Sequence, residues 1–283
     1  MQDLRDDIFK SVMTRSVTAD IIAEDAGILA GIPAAKAKAK SLGLDIIQMA
    51  EEGQTVKRGD VIATVCGNPK QIAVAEDQLI GLVAKPSGIA TAARNCVDRA
   101  GPDIQIVCGA WKKMPLTLKQ AIRDAIVTGG GYFRISRDPF IYLDKNYIQM
   151  LGGIKSSLQA VAHFTGFKKV VQIKGRQKDI ALEACEAAEL NADIIYVDNG
   201  QPQDLRKLAD MLNRKGLREN VKIAFGGSVK IEDIVRFKDL PVDILEIGRQ
   251  IVDAPLLDLK LEVVEIKESR TPEPSNFCNH EKP

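Results

Sequence analysis

The 283-residue sequence is poor in two groups that often carry catalysis or metal binding, histidine and paired cysteine. It contains two histidines, His163 and His280, and five cysteines that form no C-x-x-C pair. The odd number and scattered spacing of the cysteines argue against a disulfide framework or a zinc ribbon. His163 lies beside apolar residues, where a lone histidine is more often structural than catalytic. An enzyme of this composition has to work without histidine-centred acid–base chemistry.

The sequence also lacks an excess of charge of one sign and lacks long apolar runs. Lys and Arg number 39 against 38 Asp and Glu, so the net charge of +1 gives no global attraction to nucleic acids or membranes. No apolar run approaches the ~20 residues of a membrane span. The amino-terminal segment has no apolar signal-peptide core. We therefore expect a cytoplasmic protein that binds neither nucleic acid nor membranes.

From about residue 104 onward, the main pattern is an alternation of short apolar, strand-like segments with helical segments. It implies parallel strands with right-handed helical crossovers, in an open sheet or a closed barrel, and the pattern does not choose between them. In both architectures ligands bind at the carboxyl ends of the strands. The predicted strands are IQIVCGA (104–110), PFIYLD (139–144), KVVQIKG (169–175), DIIYVDN (193–199), VKIAFGG (221–227) and DILEIGR (243–249).

The first 108 residues have a different pattern, with shorter strand-like segments and two helical segments. A helix is predicted over 33–43, with Pro33 in its first turn and Gly43 at its end. A second helical pattern covers 71–101 and is expected to be interrupted at Pro86 and Gly88. The polar, proline-bearing tail over 268–283 is expected to be loose.

Polar residues follow the predicted strands, and several are lysines. A single surface lysine carries no information, but six strand ends together favour a ligand with several negative charges, such as a phosphorylated molecule. The residues at these ends are Ala110-Trp111-Lys112-Lys113, Asp144-Lys145-Asn146, Lys174, Asp198-Asn199, Gly226-Gly227-Ser228 and Gly248-Arg249.

The stretch Gly226-Gly227-Ser228 stands between an apolar strand and a helical pattern. It has two interpretations: a tight turn that needs glycine for steric reasons, or a cradle of backbone N–H groups for a phosphate. A helix is expected from Val229, with Ser228 as its N-cap. On the second interpretation, Gly248-Arg249 faces the phosphate from the next strand.

Several segments, in their order along the chain, resemble landmarks of the quinolinate phosphoribosyltransferases, also called carboxylating nicotinate-nucleotide pyrophosphorylases. The likeness covers roughly residues 14–258, and its most specific motif is SGIAT at 87–91. The other segments are EDAGILAG, EEGQTVKRGDVIATVCG, KKMPLTLKQAIRDAIVTGGGYFR, YLDKNYI, DIIYVDN, IAFGGSV and DILEIG.

The resemblance implies an α/β fold in which a small N-terminal α/β sandwich domain (1–108) joins an open parallel α/β barrel (109–267). It implies a homodimer or higher homo-oligomer, in which the N-terminal domain of one subunit completes the site of its neighbour. The implied reaction transfers phosphoribose from phosphoribosyl pyrophosphate to the nitrogen of quinolinate, with decarboxylation, in NAD biosynthesis. The implied cofactor is Mg²⁺.

The resemblance also assigns roles to individual residues. Lys112, Lys145 and Asp198 are the implied catalytic residues, and Asp198 also binds the metal. The implied substrate-binding residues are Lys85, Arg94, Trp111, Lys113, Arg134, Arg137 and Asn199. The implied phosphate-binding residues are Gly226, Gly227, Ser228, Gly248 and Arg249.

This sequence departs from the family pattern where quinolinate's carboxylates would be bound. Lys85 and Trp111 stand at arginine positions, the histidine of a His-Arg pair is missing, and a glutamate position holds Gln172 or Lys174. Only Arg134 or Arg137 is available to replace the arginine of that pair. Lysine and tryptophan do not reproduce the bidentate arginine–carboxylate contact. Two further hypotheses therefore stay open: an enzyme for another heterocyclic acceptor, and a non-catalytic binding protein on the same fold.

Overall fold

The structure is a computed structural model, and it describes residues 3–176 and 178–268. All of the predicted tail except Glu268 lies outside the described residues. Among the described residues, no helix combines the length and the apolar character that crossing a membrane requires.

The N-terminal part of the chain forms a four-stranded antiparallel sheet with helices packed on one face. In β1 every second residue is buried, from Val17 to Ala23, which gives the sheet one core-facing side. The fourth strand of this sheet, β12 (Leu259–Lys267), comes from the end of the described chain and pairs with β1. The other elements are α1 (Arg5–Ile8), β1 (Ser16–Ala23), β2 (Gly27–Ile28), α2 (Ile32–Ser41), β3 (Asp45–Met49), β4 (Thr55–Val56), β5 (Val61–Gly67) and α3 (Pro69–Ala100).

Helix α3 is continuous, so the interruption expected at Pro86 and Gly88 is wrong. Proline removes one N–H donor from a helix, but the helix can continue where packing holds the chain on both sides of the proline. Here the segment that leads into β12 packs on this turn. The Leu257 N–H donates to the Ala84 carbonyl at 3.0 Å, and Lys85 Nζ donates to the Ala254 carbonyl at 2.7 Å.

The rest of the chain forms a six-stranded parallel sheet in the order β6-β11-β10-β9-β8-β7. The six predicted strands are confirmed, and the sheet curves into an open barrel in which Tyr132 bridges to Val107. The elements are β6 (Gln105–Val107), α4 (Lys119–Thr128), β7 (Phe140–Leu143), α5 (Lys145–Met150), α6 (Ile154–Ala160), β8 (Lys168–Ile173), α7 (Ile180–Glu189), β9 (Ile194–Asp198), α8 (Gln203–Arg214), β10 (Lys222–Gly226), β11 (Ile244–Glu246), α9 (Arg249–Val252) and the 3₁₀ helices Ala110–Lys113, Leu116–Leu118, Arg218–Asn220 and Ile231–Asp239.

The predicted fold class, a small N-terminal α/β unit with an open parallel barrel, is therefore confirmed. Two strands belong to a different sheet from the one that the predicted domain boundaries imply. Strand β6 lies in the predicted N-terminal domain (1–108) but pairs in the barrel sheet, and β12 lies in the predicted barrel domain (109–267) but pairs in the N-terminal sheet. That residues 1–108 complete a neighbour's site stays a prediction.

The barrel interior changes from apolar to polar along its strands. Val107, Val170, Ile194, Ala224 and Ile244 form one buried apolar cluster at its centre. At the carboxyl ends, the strands or the residues that follow them present polar side chains and glycines. Strand β9 illustrates the change, because Tyr196 is buried while Asp198, two residues later on the same face, borders a solvent-accessible cavity. The polar end is therefore where ligands can reach the barrel.

Candidate active site

A cavity of about 440 Å³ lies at the carboxyl ends of β8, β9 and β10, and we call it the anion cavity. Two cations, Lys174 and Arg176, border it on one side, and the turn Gly227-Ser228 borders it on the other. Asp198, Asn199, Gly200 and Gln201 complete its lining. The structure therefore brings together four of the predicted site residues: Asp198, Asn199, Gly227 and Ser228.

The turn after β10 has an unusual backbone. Gly227 has φ of +105° and Ser228 has φ of +65°, and a residue other than glycine rarely adopts a positive φ. Consecutive N–H groups in turns of this kind can form a concave site for an anion. A strained non-glycine residue beside a cavity is an observation from which a functional role can be inferred.

Close packing supplies a second reason for glycine in this turn. A Cβ placed on Gly227 would lie 2.5 Å from the Gly200 nitrogen, so the two loops meet backbone to backbone. Substitution of Gly227 would therefore disturb the fold whether or not an anion binds. The steric interpretation of the turn therefore holds at Gly227, and the ligand-binding interpretation stays a prediction.

The helix predicted from Val229 is wrong, and so is the N-cap predicted at Ser228. The following helix is of 3₁₀ type, begins at Ile231, and is preceded by Lys230 without a side-chain cap. The reason is the positive φ of Ser228, which turns the chain away from helical geometry before Val229. An anion in this cavity therefore faces a backbone turn and two cations.

The cavity lining does not include Gly248 or Arg249, although both were predicted to bind phosphate. The Arg249 side chain is 91% exposed, and its Nε lies 3.0 Å from Asp253 Oδ2. Gly248 instead accepts a hydrogen bond from the Cys108 thiol at 3.5 Å. The prediction placed both residues in the site because they follow β11, but the chain there turns directly into α9, a short helix.

Asp198 is the centre of a hydrogen-bonded network beneath the anion cavity. Its Oδ2 lies 2.6 Å from Lys174 Nζ and 2.6 Å from Gln172 Nε2. Lys174 Nζ also donates to the Asp198 backbone carbonyl at 2.9 Å. Gln172 Oε1 in turn accepts from the Lys145 N–H at 2.8 Å, which links this network to the start of α5.

These residues do not fit a metal ion held by the protein. Within residues 3–176 and 178–268, no group of three or more His, Cys, Asp or Glu side chains is arranged to hold a metal. The carboxylate predicted as the ligand, Asp198, already accepts from an ammonium and an amide on one oxygen. Magnesium favours oxygen ligands, and a lysine bonded to the same carboxylate repels a cation.

A groove of about 560 Å³ adjoins the anion cavity and shares Lys174 and Arg176 with it. We call it the lysine groove, because Lys145, Lys155 and Lys178 also line it. Its two acids are already engaged: Glu183 accepts from the N–H groups of Lys174 and Gly175, and Glu186 pairs with Lys178 at 2.7 Å. The groove therefore has a net positive lining that suits a second anionic group.

A third space of about 360 Å³ opens into the barrel, and we call it the aromatic chamber. Five aromatic residues line it, and one of them, Trp111, is fixed by an Nε1–H bond to the Phe133 carbonyl at 2.8 Å. The Trp111 ring also packs edge-on against Phe133, with centroids 6.0 Å apart. A flat heterocycle fits such walls. The aromatic residues that line the chamber are Trp111, Phe133, Phe140, Tyr142 and Tyr196.

Cations stand over the faces of these rings. Two of them, Lys112 and Arg134, are predicted site residues, and the third, Arg123 on α4, is a residue that the sequence did not single out. The distances to ring centroids are 5.3 Å for Lys112 Nζ over Tyr142, 5.0 Å for Arg134 Cζ over Phe140, and 4.8 Å for Arg123 Cζ over Trp111. Arg123 thus brings a guanidinium to the tryptophan that stands at a family arginine position.

An acid, Glu246, also borders the chamber and accepts a hydrogen bond from the Tyr196 hydroxyl. Burial, and then the nearby Glu246 charge, raise the pKa of Tyr196, so its hydroxyl stays protonated and donates. Glycines make room for this pair: a Cβ on Gly109 would lie 2.6 Å from Glu246 Oε1, and one on Gly226 would overlap the Tyr196 hydroxyl. Gly226 therefore has a packing role in addition to its place in the turn.

Besides Gly248 and Arg249, four predicted site residues lie away from these cavities. Arg137 stacks on Tyr132 and lines a cavity at the opposite, amino ends of the strands, because the chain returns there before β7 begins. Of the two arginines considered, Arg134 is therefore the one that lines the aromatic chamber. Lys85 is bonded to the Ala254 carbonyl, Arg94 lies 3.8 Å from Asp98 on α3, and Lys113 is exposed in the 3₁₀ helix after β6.

Comparison with known proteins agrees with this geometry. The sequence model "Quinolinate phosphoribosyl transferase, C-terminal domain" matches residues 89–262, and the model of the N-terminal domain of the same family matches residues 6–87. The chain belongs to the quinolinate phosphoribosyl transferase family. The predicted resemblance is therefore confirmed over both parts of the chain.

Two archaeal relatives are similar over nearly the whole chain. A protein of Methanothermobacter thermautotrophicus is 30% identical over 89% of this chain and 90% of its own length. One of Archaeoglobus fulgidus is 31% identical over 90% of this chain and 97% of its own. Both are named "Probable nicotinate-nucleotide pyrophosphorylase (carboxylating)".

Solved structures share the fold. NadC from Streptococcus pyogenes superposes with a TM-score of 0.78 at 21% identity, covering 95% of this chain and 93% of that one. The nicotinate-nucleotide pyrophosphorylase from Pyrococcus furiosus superposes with a TM-score of 0.79 at 20% identity, covering 93% of this chain and 73% of that one. At these identities the structural likeness establishes the arrangement of sheets and helices alone.

Sequence reasoning missed several charged lining residues, among them Arg123, Arg176 and Glu246. Only Glu246 carried a local signal, because a charged residue inside the apolar segment DILEIG is costly to bury unless it has a partner. Arg123 belongs to an ordinary amphipathic helix, and Arg176 to a loop, so nothing in their spacing distinguishes them from surface cations.

Proposed function

We propose that this chain transfers phosphoribose from phosphoribosyl pyrophosphate to quinolinate and releases pyrophosphate and carbon dioxide, forming nicotinate mononucleotide for NAD biosynthesis. Family membership over both parts of the chain supports this reaction. One structural observation carries it: two cation-lined cavities for anions lie at the carboxyl ends of the barrel strands, and one aromatic, cation-bordered chamber lies inside the same barrel.

The donor's negative groups fit the two cation-lined cavities. The 5′-phosphate binds in the anion cavity, between the Gly227-Ser228 turn and the cations Lys174 and Arg176. The pyrophosphate binds in the lysine groove, where Lys145 and Lys155 face it. Asn199 and Asp198 are then near the ribose. Asn199 is already oriented by its bond to Asp204 at 2.7 Å, so little freedom is lost on binding.

The acceptor fits the aromatic chamber. The quinolinate ring packs against Trp111, and its two carboxylates are held by Lys112, Arg123 and Arg134. Arg123 offsets part of the loss of the family arginine at position 111, because its guanidinium carbon lies 4.8 Å from the centre of the Trp111 ring. The two alternatives predicted from the sequence, another acceptor and a non-catalytic protein, are not favoured by the family match.

The chain's contribution to the chemistry is positioning and charge. Departure of pyrophosphate leaves positive charge on the ribose, and the acceptor nitrogen forms the new bond to the sugar carbon. Cations around the pyrophosphate stabilise the leaving group, and the fixed ring face orients the nitrogen. The bond from the neighbouring ring carbon to its carboxylate then breaks, carbon dioxide leaves, and the carbon that keeps the electron pair takes up a proton from water.

Three further expectations complete the proposal. Mg²⁺ enters with the pyrophosphate of the donor, as part of the substrate. The protein acts as a homodimer or a higher homo-oligomer. Its location is the cytoplasm. Mg²⁺ itself, the oligomer and the location rest on the resemblance stated for the sequence, and the donor is its expected carrier because Asp198 is already bonded to Lys174 and Gln172.

The proposal is tested by following nicotinate mononucleotide and pyrophosphate by chromatography. The purified chain is incubated with phosphoribosyl pyrophosphate, Mg²⁺ and either quinolinate or nicotinate. We expect product from quinolinate and much less from nicotinate, which lacks one of the two carboxylates. Binding of both substrates with no product would overturn catalysis, and preference for nicotinate would overturn the acceptor assignment.

A further inference from the structure

We propose that Lys174 takes the place of a protein-held metal ion beside Asp198, so that the chain binds the donor's phosphates through its own ammonium group. The inference rests on the proposed function for the identity of the donor. It departs from the metal role that the sequence assigned to Asp198. It assigns to Lys174 a direct contact with the donor, in both the anion cavity and the lysine groove.

The position of Lys174 is fixed by the strand that precedes it. It follows Ile173 at the end of β8, and its side chain is only 19% exposed, beside an Asp198 side chain that is 23% exposed. Its Nζ is held at two points, by Asp198 Oδ2 at 2.6 Å and by the Asp198 carbonyl at 2.9 Å. An ammonium has three N–H donors, so one is left for a ligand.

Because both are positively charged, the Lys174 ammonium and a metal ion exclude each other beside Asp198. A divalent cation on Asp198 Oδ2 would stand a few ångströms from Lys174 Nζ, and two cations at such a distance repel strongly where solvent is partly excluded. The same oxygen also accepts from Gln172 Nε2 at 2.6 Å, and an amide N–H is not a metal ligand. Lys174 already provides the positive charge that a metal would provide.

Lys174, like Arg176, lines both the anion cavity and the lysine groove. A donor with phosphates at its two ends would therefore contact Lys174 from either side. Lys168, at the start of β8, offers a matched comparison, because it pairs with Asp193 at 2.8 Å at the opposite end of the same two strands. Lys168 and Lys174 both form an ion pair between β8 and the β9 segment, but they line different cavities. Comparing alanine variants of the two therefore separates loss of donor binding from loss of an ion pair that stabilises the barrel.

The first experiment measures binding of inorganic pyrophosphate by calorimetry in buffer with EDTA. We expect the wild-type protein to bind without metal, and Lys174→Ala to bind at least about tenfold more weakly, the effect of losing one hydrogen bond to a charged group. Lys168→Ala should bind within about threefold of wild type, because Lys168 lines the cavity at the amino ends of the strands and neither of the two cavities that Lys174 lines. Thermal melting confirms that both variants are folded.

The second experiment measures Mn²⁺ binding by electron paramagnetic resonance, in the absence of pyrophosphate. Wild type should leave Mn²⁺ free, whereas Lys174→Glu places a second carboxylate beside Asp198 and should bind the ion. Binding of Mn²⁺ by wild type, a requirement of wild type for metal to bind pyrophosphate, or equal losses in Lys174→Ala and Lys168→Ala would each overturn the inference.

The outcomes also separate this inference from the proposed function. A wild-type protein that turns over quinolinate but binds pyrophosphate only with metal contradicts the role of Lys174 alone. A protein that binds pyrophosphate in EDTA but forms no product contradicts the transfer reaction and leaves the role of Lys174 standing.

Discussion

At the scale of single residues, the site is built from cations whose positions are fixed by neighbours of a different kind. Lys174 is held by Asp198, while Arg123, Arg134 and Lys112 lie over aromatic rings. A cation over a ring keeps its charge available to an anion, since the ring does not neutralise it. A cation paired with a carboxylate is partly neutralised.

Arg134→Ala should raise the KM for quinolinate at least about tenfold, because one charge-assisted contact to a carboxylate is lost. The affinity for phosphoribosyl pyrophosphate should change little. Arg137→Ala is the matched control: it also removes an arginine that lies over an aromatic ring, 4.7 Å from the Tyr132 centroid, but at the other end of the barrel. Steady-state kinetics of both variants checks the prediction. Equal effects of the two substitutions would contradict the placement of the acceptor.

Two buried thiols predict how stability depends on alkaline pH. Burial raises the pKa of Cys96 and of Cys108 from an ordinary 9.0 to about 12. Because the folded pKa lies above the unfolded one, each thiol's contribution is full below pH 9 and is lost as the pH rises from about 9 to about 12. Urea unfolding should show the free energy of unfolding falling by about 1 kcal/mol per thiol between about pH 8 and pH 10. The same slope in a Cys96→Ala, Cys108→Ala double variant would contradict it.

At the scale of elements, the long helix α3 is where the two parts of the chain meet. It packs on α2 in the N-terminal part and on α4 beside the barrel, and the segment before β12 lies against its Pro86 turn. Gly88 lets this segment approach, because a Cβ there would overlap the Pro255 carbonyl oxygen. Gly81, earlier in the same helix, is exposed and has nothing within 4 Å of a Cβ.

The two glycines of α3 are therefore expected to respond in opposite directions. Gly88→Ala should lower the free energy of unfolding by about 3 kcal/mol, the upper range for overpacking against a rigid backbone. Gly81→Ala should raise it by up to about 1 kcal/mol, because alanine favours the helix and restricts the unfolded chain. Chemical denaturation measures both. A stabilising Gly88→Ala would show that residues 254–257 do not pack on α3 as described.

How far the sequence predicted these elements depends on how local their signals are. The six barrel strands are buried on both faces, so their apolar runs were visible without any partner. The pairing of β12 with β1 joins residues more than 200 positions apart, and no local sequence pattern predicts it. The Ser228 turn was predicted as a site but with the wrong helix start, because the positive φ of a serine has no signature in the sequence. Arg123 lines the chamber because of how α4 packs beside the barrel, and the sequence pattern of a helix does not predict how that helix packs.

At the scale of the whole molecule, the proposed oligomer would let the N-terminal part of one subunit contribute residues to the site of its neighbour. Arg94 lies on α3 with its side chain 42% exposed, and its nearest acid, Asp98, is 3.8 Å away. It is therefore available to a second subunit. Lys85 is not, because it is bonded to the Ala254 carbonyl of its own chain. Of the two cations predicted to serve a neighbour's site, Arg94 is the one with which to test it.

Mixing two weakened variants tests this arrangement. If Arg94 serves the neighbour's site, Arg94→Ala and Lys174→Ala should each lose activity alone and regain about a quarter of wild-type activity on mixing. Half of randomly exchanged dimers are mixed, and each mixed dimer keeps one intact site. Light scattering should show a dimer or a higher multiple throughout. A stable monomer, or a mixture no more active than its separate parts, would contradict shared sites.

The most direct test of the central claim, that donor and acceptor meet at the carboxyl ends of the barrel strands, is a crystal structure with phosphoribosyl pyrophosphate and quinolinate bound. The account predicts the 5′-phosphate on the N–H groups of Gly227 and Ser228, the pyrophosphate against Lys174 and Lys145, and the ring against Trp111. Ligand density at the amino ends of the strands, beside Arg137, would contradict it, and so would a phosphate that makes no contact with the Gly227-Ser228 turn.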